Sequence, residues 1–254
     1  MVLKVEGLVY RYALSHPPVL DAIDLTLAKG EMLCLLGPNG TGKTTLLRCL
    51  IGAVRAERGT ISIDGKTSAT ARQRARKMAY VPQAGGESAL SLLDTVLMGR
   101  TPHLRPLASP SRRDHDMACR ALSRVGIEHL ARRSFNQVSG GERQLALIAR
   151  ALVQEPGIFL MDEPTASLDL GNQVRVLRTI RSLAADGLSV LFTSHQPEHA
   201  LLLGARVAVL RDGRIAKFGT AGEVLSADML SDLYRTPIDI VAMHGVPAAC
   251  VPRI

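Results

Sequence analysis

Lys43 stands behind a run of glycines, Asp162 and Glu163 close one apolar run, and His195 closes another. A cation, two carboxylates and an imidazole are groups that phosphate chemistry uses. Residues 37–44, GPNGTGKT, fit G-x-x-x-x-G-K-(S/T), with the apolar run EMLCLL before them and the helical pattern KTTLLRCLIGA after them. In such a loop Gly37, Gly40 and Gly42, with Pro38, Asn39 and Thr41 between them, turn consecutive N–H groups onto phosphate oxygens. Lys43 adds a point charge near the terminal phosphates, Thr44 offers a hydroxyl to Mg²⁺, and Thr45 continues the stretch. A chance glycine-rich turn would lack the flanking strand and helix.

GIFLMDEP supplies the second half. Its apolar residues end in Asp162, at the carboxyl edge of a buried strand, where ligands of α/β sheets bind. Asp162 is expected to hold Mg²⁺ directly or through water, and Glu163 to orient and polarise an attacking water. Adjacent carboxylates repel unless a cation lies beside them, so Mg²⁺ makes the pair sensible. Asp-Glu-Pro alone is equally a helix start; the phosphate loop upstream decides between the two.

Gln83 follows Pro82 where a short strand, KMAYVPQ, ends. Its amide is placed to touch Mg²⁺ or the water. His195 ends LSVLFTS, again at a strand's carboxyl edge, in reach of a terminal phosphate. His195 and His199 have the spacing of a helical metal pair, but Pro197 lies between them and HQPEH lacks the glutamate of H-E-x-x-H. Zinc is therefore rejected, and His199 is read as a surface residue. Asp169 lies in a polar loop entering a helix. VSGGERQ (138–144) raises a separate question, because Ser139, Gly140 and Gly141, followed by Glu142, look like a phosphate grip at a positive helix end. One nucleotide site has no evident need of a second grip.

These residues must be carried by particular elements. LKVEGLVY and VLDAIDLTLA alternate as strands, EMLCLL is a buried strand, and GTISIDGK is a strand closed by an Asp-Gly turn. Helical spacing dominates 84–155, as in MACRALSRVGIEHL and GGERQLALIARALV, interrupted by the Pro-rich RTPHLRPLASPSRRD. GIFLMDEP, GLSVLFTSH and RVAVLRDG then alternate with helical stretches, the pattern of a mostly parallel sheet. The expectation is an α/β core from 1–83 and 156–236, a helical lobe inserted at 84–155, and a tail at 237–254 without a readable motif.

The chain has 254 residues, 46% hydrophobic and 21% charged, an ordinary globular composition. No apolar run reaches the length of a bilayer span, and the first residues lack a signal peptide's pattern, so a cytosolic protein is expected. Four scattered cysteines have no metal-ligand spacing. A net charge of +8 permits contact with nucleic acid, but the basic residues are dispersed and aromatics make up only 3%. No nucleic acid is expected.

These elements, in this order and over nearly the whole chain, resemble the nucleotide-binding subunit of an ABC transporter. GPNGTGKT is similar to its Walker A, Gln83 to the Q-loop, VSGGE to the ABC signature, IFLMDE to Walker B with its catalytic glutamate, and SLD (167–169) to the D-loop. Tyr12 resembles the aromatic residue that stacks on adenine, and His195 the switch histidine. Val138 in place of Leu and Glu142 in place of Gln are departures from the signature. The fold implied is a P-loop NTPase core with an N-terminal antiparallel β subdomain and the inserted helical subdomain. A finer resemblance, carried by DTVLMGRTPHL (94–104), SLDLGNQ and TSHQPEHA, is to ATPases that import metal chelates: iron–siderophore, haem, cobalamin or, in some members, molybdate.

The resemblance also gives the second grip an address. In such proteins two subunits sandwich two Mg-ATP head to tail, and Walker A of one faces the signature of the other. It implies a homodimer, two integral membrane permease subunits, indirectly a substrate-binding protein, and a peripheral place on the cytoplasmic face of the cell membrane. A soluble ABC ATPase without a permease, for example in cluster assembly, is the alternative. A nucleotide sensor without turnover is disfavoured by Glu163 and His195.

Overall fold

The computed structural model describes residues 2–253 other than Leu14, Ser68, Ala69, Ala84, Gly85, Glu87, Pro106, His244 and Gly245. The alternating stretches Leu3–Tyr10 (β1) and Leu20–Leu27 (β2) pair antiparallel. After Met32–Leu36 (β3) and the helix Lys43–Ile51 (α1), Arg58–Ile63 (β4) joins the other edge of β1. The apolar face of this three-stranded layer shares a core with α1 and β3. Next come Ala71–Lys77 (α2), Met78–Val81 (β5), Leu92–Leu97 (α3), a 3₁₀ turn at Met98–His103, Arg112–Arg124 (α4) and Gly140–Leu152 (α5). Ile158–Met161 (β6), Leu170–Ala185 (α6), Ser189–Ser194 (β7), Pro197–Leu203 (α7) and Arg206–Arg211 (β8) restore the α/β alternation.

The main sheet has the order β5-β6-β7-β3-β8-β9, where Arg214–Thr220 (β9) is the one strand antiparallel to its neighbour. Asp212 and Gly213, at φ +49° and +75°, make the two-residue turn into β9 that the Asp-Gly pair predicts. Among the parallel strands β3 and β6 are apolar throughout, because both faces are covered. In β6, Ile158 and Leu160 enter the core shared with β1, β2 and α1, whereas Phe159 and Met161 enter the core shared with α4 to α7. β3 divides the same way, Leu33 and Leu35 against Cys34 and Leu36. Each such residue, fully buried, contributes about 1.5–3 kcal/mol.

Three elements depart from the sequence reading. α2, for which the sequence reading gave no element, is a helix whose Thr70 and Gln73 form a capping box; the S/T-x-x-Q signature was its available signal. The pattern MACRALSRVGIEHL is not one helix, since α4 stops at Arg124 and Gly126 turns to φ +73°. Two short helices, Ala221–Val224 (α8) and Ala227–Tyr234 (α9), precede the tail, which is itself an antiparallel hairpin of Ile238–Met243 (β10) and Val246–Pro252 (β11).

The segment MGRTPH is held by packing. A Cβ on Gly99 would lie 2.1 Å from the Arg150 carbonyl oxygen, so only glycine lets the 3₁₀ turn meet α5 this closely. Buried Arg100 donates from Nε to Asp114 at 2.8 Å and from Nη1 to Val153 O and Glu155, both at 2.9 Å. The Ser111 hydroxyl, then the Ser111 N–H and Arg100, bring the Asp114 carboxyl from 3.8 to about 2. A depressed carboxyl stabilises the fold above its unfolded pKa and loses that contribution as pH falls through the folded one. Asp114→Asn is therefore expected to cost about 2 kcal/mol near neutral pH. Denaturant titrations across pH check it: the gap between parent and variant closes as pH falls from about 4 to about 2.

Candidate functional site

Three neighbouring parallel strands end together. Leu36 pairs with Ser194 and Met161 with Phe192, so Gly37, Asp162 and His195 leave the sheet along one edge. Gly37 fits because a Cβ there would stand 2.5 Å from Leu210 O. The loop places Gly42, at φ +102°, as N-cap of α1, and leaves the first N–H groups of the helix for an anion.

Lys43 is buried at the floor of this loop. Its Nζ donates to Gly37 O at 2.6 Å and Pro38 O at 3.0 Å, and lies 3.2 Å from Glu163 Oε1. The other oxygen of Glu163 meets His195 Nδ1 at 3.0 Å. An ammonium, a carboxylate and an imidazole thus form one line. Glu163 holds φ +43°, a left-handed conformation that costs a β-carbon residue of order 1–3 kcal/mol. Its N–H is fixed by Thr193 Oγ1 at 2.7 Å.

The sequence reading expected a cation beside the two carboxylates. The structure turns the pair to different protein partners: Glu163 to Lys43 and His195, Asp162 to hydroxyls. Asp162 is 1% exposed and accepts from Thr193 at 2.9 Å and from Tyr80 at 3.1 Å. Burial first, then the Asp162 charge and hydrogen bond, pushes the Tyr80 phenol up to about 12, so it remains a donor. Thr193 and Tyr80 went unnoticed in the sequence. Their signal is a hydroxyl inside an otherwise apolar strand next to a charged strand end.

The phosphate loop, Tyr12, Gln83 and Glu163 line a cavity of about 410 Å³. Tyr12 stands at its mouth, 63% exposed, with its hydroxyl 2.9 Å from Thr45 Oγ1 and its ring edge-on to Tyr10. Exposed Gln83 lines this cavity and a second one of about 310 Å³, shared with Gly140, Gln144 and residues 166–168. Thr44 and Asn39 line the first.

Ser139 and its followers do not line the Lys43 cavity. Ser139 is the N-cap of α5, in a capping box with Glu142: Glu142 N donates to Ser139 Oγ at 3.3 Å, and Ser139 N and Oγ each donate to Glu142 Oε2 at 2.8 Å. The Ser139 N–H and hydroxyl hold the Glu142 carboxyl below its ordinary range. The two glycines differ. Gly140 is exposed, and a Cβ there would meet only Leu168 Cδ2 at an ordinary 3.6 Å; on Gly141 it would stand 2.2 Å from Asn172 Oδ1. Asn172 is itself held by Asp169, the N-cap of α6, through Nδ2 and N at 2.8 Å each. Gly141 is thus a packing glycine joining α5 to the loop of Asp169.

His199 corrects the sequence reading. It is 5% exposed, not a surface residue, and its Nδ1 lies 3.0 Å from Ser194 Oγ and 3.4 Å from Thr165 Oγ1. Burial moves its pKa down, keeping the ring neutral. Among the described residues no group of three His, Cys, Asp or Glu could hold a metal by itself.

With this geometry in view, the profile of the ABC transporter family matches residues 20–166. The chain belongs to the ABC transporter family. This ABC ATPase is 37% identical to the molybdate import ATP-binding protein MolC of Haemophilus influenzae, over 93% of this chain and 89% of that protein. It is 37% identical to the hemin import ATP-binding protein HmuV of Nocardia farcinica, over 98% of this chain and 88% of that protein. A solved structure described as a metal-chelate type ABC transporter in an inward-facing conformation superposes with a TM-score of 0.88 at 34% identity, covering 100% and 98% of the two chains.

Thr193→Val removes the hydroxyl shared by Asp162 and the Glu163 amide at almost constant volume. Chemical denaturation is expected to show a loss of about 2 kcal/mol, because two buried polar groups lose a partner. Thr193→Ser should recover most of it.

Proposed function

We propose that this protein is the energy-coupling subunit of an ABC importer, hydrolysing Mg-ATP as a homodimer to drive a membrane permease for a metal chelate or related cargo. One observation carries the reading: Lys43, Glu163 and His195 form a continuous line at the phosphate loop, while the Ser139–Gly140 grip opens elsewhere. A subunit with its signature outside its own nucleotide cavity supports completion by a second copy. The relatives' roles in molybdate and hemin import support the importer class, with cargo left between such oxyanions and chelates.

The residues fit magnesium. Asp162 is a buried carboxylate paired only with neutral hydroxyls, and Thr44 and Gln83 add oxygen donors, the hard set this ion takes. The ion would neutralise charge on the phosphates. Phosphates at the loop compete with Glu163 for the Lys43 ammonium. Glu163 Oε1, released, then accepts a hydrogen bond from the attacking water, and Oε2 keeps His195 aligned toward the terminal phosphate. Tyr12 presents its ring to the adenine, and Asp169, N-cap of α6, joins the signature helix to this edge through Asn172 and Gly141.

We place the division of labour between a core of 1–83 with 156–236, a helical lobe of 84–155, and a tail of 237–254. Between core and lobe lies a groove of about 380 Å³, with Tyr80, Met98, Pro102 and Gln154 in its walls. Met98 is exposed there, which supports docking of a permease segment. No helix among the described residues is long and apolar enough to cross a membrane, so attachment would run through that partner at the cytoplasmic face.

Two variants test the dimer. Glu163→Gln should abolish hydrolysis and give an ATP-dependent dimer in sedimentation; a monomer at saturating Mg-ATP contradicts the sandwich. A Cβ at Gly140 makes only an ordinary contact with Leu168, and an acid suits the first turn, so for Gly140→Asp the melting temperature should hold and ATP binding by the single subunit should survive while turnover stops. A change at Ser139 would confound this by removing a cap worth about 1 kcal/mol. Affinity capture from native membranes tests the importer reading: a multi-span permease is expected, and its absence favours a soluble ABC ATPase.

A further inference from the structure

The stretch after β7 carries His195, whose imidazole is partly exposed and whose one side-chain bond is to Glu163. Something else must fix its backbone, because β7 ends at Ser194. Part of the answer is local: Ser194 Oγ accepts from Gln196 N at 2.9 Å and meets buried His199 at 3.0 Å. The rest comes from the far end of the chain. Tyr234, the last residue of α9, donates its hydroxyl to the His195 carbonyl oxygen at 2.7 Å, with its ring packed against the larger core.

We infer that Tyr234 is a positioning residue for ATP hydrolysis, holding the His195 main chain so that the imidazole stays in line with Glu163. The inference rests on the role proposed above for His195. The carbonyl that Tyr234 grips is bonded directly to the Cα bearing the imidazole, so a shift of that peptide moves the ring with it. Rotation about two side-chain bonds cannot restore both the Glu163 contact and the reach to phosphate once the anchor moves.

The surroundings make the grip rigid. Ser226 caps the start of α9, Arg235 ends it in the left-handed conformation, and Ile238 N donates to Ser231 Oγ at 2.8 Å. β10 and β11 then return the chain to α7, where Cys250 N donates to Glu198 Oε1 at 3.0 Å. Tyr234 and Cys250 therefore hold the His195 segment both at His195 and three residues later. Burial, followed by nearby Cys34 and Glu198, raises the Tyr234 phenol far above its ordinary pKa, so it remains a donor wherever the enzyme works.

The test is Tyr234→Phe, which removes one oxygen, measured beside His195→Ala with Mg-ATP as substrate. Tyr234→Phe is expected to lower kcat about tenfold or more with KM for ATP unchanged. In ¹⁵N-histidine-labelled protein the ring resonances of His195 should move while those of the other histidines stay. Unchanged kcat, a loss confined to KM, or an unmoved His195 resonance overturns the inference. Movement of all the histidine resonances would show a general structural role and overturn it too. If His195→Ala itself keeps full kcat, the role given to His195 falls, and Tyr234 has nothing to position. If only Tyr234→Phe is silent, the reading of His195 stands and the inference alone fails.

Discussion

Charge at the site depends on the in-register parallel pairing of β6, β7 and β3. That pairing sets Asp162, His195 and Gly37 on adjacent strand ends, and the rest follows from keeping neighbouring carboxylates apart in a buried place. Placing two anions side by side there is unfavourable unless each finds its own partner. Glu163 takes the ammonium of the loop and the imidazole of the next strand. Asp162 takes the hydroxyls of Tyr80 and Thr193, and so remains the one buried carboxylate of the pair without a protein counter-charge. The left-handed turn at Glu163 is what separates the two side chains, and Thr193 stabilises it by accepting the turned N–H.

The same economy of space couples the signature helix to the site edge. Asn172 occupies the volume where a Gly141 side chain would lie, and Asp169 orients Asn172 while capping α6. A shift of α5 must therefore be felt at the loop of Asp169, because packed interiors deform little. Glu142, in place of the commoner Gln, keeps the capping box and adds a negative charge at a positive helix end.

Among the stretches that suggested a finer kinship, DTVLMGRTPHL proves to be architectural. Gly99 and Arg100 in DTVLMGRTPHL secure the 3₁₀ turn against α5, and the groove wall at Met98 and Pro102 follows from that contact.

The linear order of residues was enough for the phosphate loop, the strand-end acid pair, the strand-end histidine and the signature, because each is a local pattern whose chemistry is set by near neighbours in the chain. The two-faced burial of β3 and β6 was equally legible, since a strand with no polar alternation must be covered twice. Folding decided what depends on distant pairs. Thr193 against Asp162, Gly141 against Asn172 and Tyr234 against His195 join residues from separate elements, and nothing in local spacing marks them. His199 was misread for the same reason: its polar type suggested a surface, while Ser194 and Thr165 satisfy it inside. Local chemistry is written in the order of residues, but burial and hydrogen-bond partnership belong to the three-dimensional packing that brings remote segments together.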